Sequence, residues 1–85
     1  MSVPVEHIKP GRYYRTAFGK RPAVVKAVTG VLAHTGRVGV IDQSEGTLRY
    51  VQASRLFNEV VRSAADGRWV IFDRARHERK AVERD

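Results

Sequence analysis

Gly36-Arg37-Val38-Gly39-Val40, followed by Gly46-Thr47-Leu48-Arg49-Tyr50-Val51 and then Ala53-Ser54-Arg55-Leu56, reads as two short strands and one helical turn. Val38 and Val40 begin a strand that runs to Ile41 or Asp42. Gln43-Ser44-Glu45-Gly46 is a four-residue hairpin loop ending in glycine. Residues 47–52 form the returning strand, with Leu48 and Tyr50 alternating against Arg49 and Val51. Residues 53–56 are too few for an independent helix and suit a single turn.

Outward from this hairpin the same grammar continues. On the N-terminal side, residues 12–18 carry Tyr, Tyr, Thr and Phe, which favour a pleated surface. Their alternation sets Tyr14, Thr16 and Phe18 against Tyr13, Arg15 and Ala17, and the arginine marks the second set as outward. Residues 19–22 predict a turn and residues 23–28 a second strand, with Lys26 on its outer side. Thr29-Gly30 bends or breaks that strand before residues 31–33, and His34-Thr35-Gly36 is a further turn. On the C-terminal side, residues 57–62 return as a strand and Ala65-Asp66-Gly67 turns the chain. Residues 68–73, Arg-Trp-Val-Ile-Phe-Asp, are the most strand-like in the sequence. They are expected to pair with residues 57–62 in a hairpin or, left at an edge, to pair across a two-fold axis. Residues 1–10 form an irregular lead-in punctuated by Pro4 and the Pro10-Gly11 turn. Residues 74–85 are helix-compatible but lack an apolar stripe, which predicts a basic tail that is helical or disordered.

Many short strands separated by glycine-containing turns predict an all-β domain over residues 1–73, a small barrel of five to six antiparallel strands. The order of elements resembles small barrels of the Src-homology-three-like (SH3-like) type. The matching features are a Pro-Gly turn before an aromatic strand, the Gly36–Val40 and Gly46–Val51 segments, and a helical turn at residues 53–56 before the last strand. The resemblance covers roughly residues 10–61; the 68–73 strand and the tail are additions. Such barrels bind peptides, modified tails, RNA or DNA, so the resemblance implies binding without naming the ligand. Plasmid-borne dihydrofolate reductases are also tiny barrels, with a working Val-Gln-Ile-Tyr run. Tyr50-Val51-Gln52-Ala53 keeps only the Val-Gln, and that reading is set aside.

Composition narrows the function. The chain has 85 residues, no cysteine and a net charge of +7. The absence of cysteine excludes a disulfide scaffold and a thiolate zinc site. His7, His34 and His77 are too far apart to suggest a metal, and Ser44, Ser54 and Ser63 have no neighbouring base. No phosphate-loop or dinucleotide glycine pattern is present. The expectation is therefore a non-enzymatic protein with no cofactor and no metal. Nothing at the N-terminus resembles a signal peptide and no apolar run suits a bilayer, so a cytoplasmic location and no membrane partner are expected.

The charge is unevenly placed. Residues 1–40 carry +6, residues 41–73 carry −1 and residues 74–85 carry +2. Clustered cations favour polyanions or acidic proteins. Strand alternation puts Tyr13, Arg15, Lys26, Arg37 and Arg49 on outward faces, with Lys20 and Arg21 on the turn between the first two strands. These seven residues are the expected contacts to DNA or RNA phosphates, with little sequence preference. The competing expectation is an adaptor or inhibitor, of the kind a mobile element makes, that docks this basic surface on an acidic protein. Either suits a monomer or a homodimer.

Overall fold

The computed structural model describes residues 2–74. Six strands, β1 (Tyr13–Phe18), β2 (Arg21–Ala27), β3 (Arg37–Asp42), β4 (Leu48–Gln52), β5 (Asn58–Arg62) and β6 (Trp69–Ile71), form one sheet. Its order is β4-β3-β2-β1-β5-β6 and every pairing is antiparallel. The protein is thus mainly β, with single helical turns at Val5–His7 and Ala53–Arg55. The pairings run in one series from β4 to β6. Of the tail, residues 75–85 lie outside the described residues.

The turns follow from the residues that fill them. Gly19 adopts φ +64° in a two-residue connection closed by the Phe18–Arg21 pair. A positive φ at the first central position is what a type II′ hairpin turn requires. The turn is therefore shorter than residues 19–22, and β2 starts two residues earlier than the sequence suggests. Pro22 fits inside the strand because its partner Ala17 lies one step from the closing pair, where no N–H is exchanged with β1. Residues 28–36 form no strand. They fold back on themselves, the Leu32 N–H donating to the Arg37 carbonyl at 2.8 Å.

One face of the sheet encloses the core. Tyr14, Val25, Ala27, Val38, Val40 and Leu56 are fully buried, with Val3 and Ile8 of the lead-in packed over them. Leu56 reaches this core because the Ala53–Arg55 turn redirects the chain between β4 and β5. Polar groups on this face are all engaged. The Tyr14 hydroxyl donates to the His7 carbonyl at 2.7 Å and accepts the Lys9 N–H at 3.0 Å. Thr16 donates to the Arg55 carbonyl at 2.7 Å. The buried Asp42 carboxylate receives Arg21 at 2.7 Å and the Ser44 N–H and hydroxyl, each at 2.9 Å. Arg21, and after it the Ser44 N–H, hold the Asp42 carboxyl well below the usual carboxylate range. Buried Glu59 takes a two-pronged contact from Arg74, at 2.7 and 3.0 Å.

Candidate nucleic-acid interface

Directly opposed residues of antiparallel strands share a face. The register therefore assigns every strand side chain to the core face or to the outer face. Tyr13, Lys26, Ile41 and Leu48 form one outward row across β1, β2, β3 and β4. The row continues from Tyr13 to Val60 and Ile71 on β5 and β6. Arg15, Val24, Arg62 and Trp69 lie on the same face.

A second, smaller apolar cluster forms here. The Tyr13 and Trp69 ring centroids are 4.9 Å apart, with the rings tilted by 39°. Beside them Val60 is 1% exposed although it belongs to the outer face. Cations cover these rings: the Arg62 guanidinium stands 4.8 Å from the Trp69 centroid and the Lys26 ammonium 5.9 Å from Tyr13. Arg15, Val24, Trp69 and Ile71 share one shallow depression. A second depression joins Trp69 and Arg62 to Pro22, Val24, Ser44 and Arg21. Together their linings hold three arginines and no carboxylate. The strand positions of the outer face likewise carry Arg15, Lys26, Arg37 and Arg62 without an Asp or Glu. The strand carboxylates Asp42 and Glu59 both point to the core side, where each has an arginine.

Of the seven residues singled out from sequence, Tyr13, Arg15 and Lys26 are brought together on this face. Lys20 is exposed at the tip of the β1–β2 hairpin, beyond Arg15. Arg21 lines the second depression, but its guanidinium is committed to Asp42, with Ser44 and Glu45 at 3.3 and 3.6 Å. Arg37 faces outward at the far end of β3, four residues from the row of Lys26 and hence about 13 Å along the strand. Arg49 corrects the expected alternation of β4. It opposes Val40 and so lies on the core side, stacked 4.6 Å from the centroid of Phe18 and 3.7 Å from Glu45. Tyr50 and Leu48 are the outward residues of β4, 55% and 52% exposed. The reason is Gly39. Opposite Tyr50 it has no side chain, so the ring lies 3.3 Å from where a Cβ would stand.

Sequence reasoning missed Arg62 and Trp69 as site residues. The signal was present in the hairpin expected between residues 57–62 and 68–73, because that pairing places Arg62 opposite Trp69. No protein-family model, curated protein or solved structure matches this chain. No helix among the described residues is long and apolar enough to cross a membrane.

Proposed function

We propose that the protein is a non-catalytic nucleic-acid-binding module that contacts phosphates of DNA or RNA through the outer face of its sheet. The observation that carries this reading is the segregation of charge. Arg15, Lys26 and Arg62 surround the Tyr13–Trp69 pair on a face without carboxylates, while Asp42 and Glu59 are turned inward and neutralised. Uncompensated cations on one surface displace the counterions of a polyanion, and that release supplies most non-specific affinity. The side chains offered are long cations presented by a sheet, and neither turn among the described residues, Val5–His7 or Ala53–Arg55, is long enough to read base edges in a major groove. Sequence preference is accordingly weak.

The test is binding to labelled DNA and RNA across a salt series. Three phosphates neutralised by Arg15, Lys26 and Arg62 give a slope of log affinity against log salt of about −2 on single strands and about −2.7 on duplex DNA. The Arg15→Glu/Lys26→Glu double variant should fold normally, bind more weakly and show a slope shallower by at least about 1.4 on single strands. Unchanged affinity in the double variant would refute the assignment.

A second reading, docking on an acidic protein, is favoured by one observation. Ile71, on the same face as Trp69 and lining the same depression, is 58% exposed. An exposed large apolar side chain beside a basic patch suits a protein interface. A blue shift of Trp69 emission on adding an acidic protein, with no response to polynucleotides, would favour this reading over the first.

A further inference from the structure

Resting on the nucleic-acid reading, we infer that the outer face is a track for a single strand, with unpaired bases stacking on Trp69 and Tyr13 at one side and on Tyr50 at the other. The argument begins with what duplex and single strand can present. In a duplex each base face is covered by its neighbours, so flat aromatic rings find nothing to stack on. An unpaired strand exposes those faces, and base–aromatic stacking is tolerant of sequence because every base has one.

The sheet places its rings accordingly. Tyr13 and Trp69 are half-buried and tilted against each other, with their remaining ring surface on the outer face. Tyr50 lies on the same face three strands away, about 14 Å across the sheet at the usual strand spacing. One edge carbon of its ring lies 3.3 Å from where a Gly39 Cβ would stand, a space it shares with methyl groups of Val28 and Thr29, and the rest of the ring is largely exposed. Between the two platforms the row Tyr13–Lys26–Ile41–Leu48 is apolar apart from one ammonium. Cations flank both ends: Arg62 and Arg15 near Trp69, and Arg37 near Tyr50. Each stacking platform thus has a cation beside it for the phosphate attached to the stacked base.

The major groove of a duplex is not served by the same surface. It admits an α-helix or a two-stranded ribbon. Of the two edge hairpins, β3–β4 and β5–β6, the second is joined to the outer face through Val60 and the Tyr13–Trp69 contact. Its outward residues are therefore part of the track.

The experiment compares an oligo-dT of about 12 nucleotides, within the usual site size, with the same strand annealed to its complement. Trp69 is the sole tryptophan, so its emission reports on the site directly. The single strand should bind at least about tenfold tighter than the duplex at the same salt and quench Trp69, whereas the duplex should leave the emission unchanged. Tyr50→Ala should reduce single-strand affinity about tenfold without altering duplex affinity or the melting temperature. Tyr50 is largely exposed, so its removal leaves the core intact. Trp69→Phe keeps a ring and should retain most affinity, while Trp69→Ala should lose about tenfold or more. Equal affinity for both forms, with the expected salt slope and no quenching, would overturn stacking and leave phosphate contact standing. Absence of binding to either form at low salt would overturn both.

Discussion

Tyr14 ties the lead-in to the sheet, and removing its hydroxyl alone measures that tie. The ring is fully buried and survives in Tyr14→Phe, so no cavity larger than one oxygen is created. Two hydrogen bonds are lost, one donated to the His7 carbonyl at 2.7 Å and one accepted from the Lys9 N–H at 3.0 Å. Each is worth about 1 kcal/mol net, more where a buried partner is left unsatisfied. Here both partners have relief. Arg12 already donates to the His7 carbonyl at 3.0 Å, and Lys9 is exposed to water. The expected cost is therefore about 1.5 kcal/mol, at the lower end of the range for two bonds. For a domain of this size that lowers the melting temperature by roughly 6–12 °C. Circular dichroism melts and urea titrations would measure it. A second readout is alkaline. Burial, first of all, raises the Tyr14 pKa, so the folded state holds this proton more tightly than the unfolded chain. That contribution is complete below the ordinary tyrosine value and is lost as pH rises through the folded one. Tyr14→Phe should therefore show a weaker loss of stability above about pH 10. A melting temperature within about 2 °C of wild type, with an unchanged alkaline limb, would refute the reasoning.

Other perturbations probe the same framework. Asp42→Asn keeps an acceptor for the Ser44 N–H and removes the charge opposite Arg21. Because the folded Asp42 pKa is depressed, its stabilisation is present above the ordinary carboxylate value and fades as pH falls toward the folded one. The variant should be less stable at pH 7 by about 1–3 kcal/mol, and part of the acid limb below about pH 5 should disappear in urea titrations. A Cβ at Gly39 would sit 3.2–3.3 Å from Thr29, Val28 and Tyr50. Gly39→Val should cost about 1–3 kcal/mol and dislodge the Tyr50 ring, visible as a changed tyrosine ring-current pattern in NMR spectra. Glu59→Gln removes the charge that Arg74 grips and should lower the melting temperature while leaving the outer face unaltered, so polynucleotide affinity is the control.

The parts of this fold that could be read from sequence are those where polarity and local geometry agree. In β1 a single arginine between aromatic residues fixes both faces, and Gly19, Gly46 and Gly67 mark hairpin connections with positive φ. β4 defeats the same logic. Hydrophobicity assigns Leu48 and Tyr50 inward and Arg49 outward, yet the register with β3 reverses them. The deciding terms are non-local. Gly39 offers Tyr50 a seat outside, while Phe18 and Glu45 receive Arg49 at the rim of the core. Arg21 is a similar case. Its position in a basic run suggests a free cation, but Asp42, 21 residues away, is brought beside it by the β2–β3 pairing. The candidate site was therefore half legible: its aromatic and basic centre on β1 and β2 could be read, and the expected β5–β6 hairpin brought Arg62 to Trp69 but did not show that Trp69 packs on Tyr13.

The cations that cover the aromatic rings raise an energetic question, since Arg62 and Lys26 occupy the surfaces on which a base would stack. At exposed sites a cation–π contact contributes about 0.5–1 kcal/mol, whereas a base stacked on an aromatic side chain contributes about 1–3 kcal/mol. Exchange of cation for base on the ring is thus favourable. The displaced cation is not left without a partner, because the phosphate attached to that base arrives with it. In the free protein the same contacts keep two long side chains close to the surface instead of dispersed in solvent, which reduces the entropy lost when a ligand orders them. On the proposed reading the rings and cations act as one device in two states: cation on ring when free, base on ring and cation on phosphate when bound. An acidic protein surface would engage only the second half of that device. It would draw Arg62 and Lys26 away and leave the rings without a stacking partner, a less favourable exchange at the same sites.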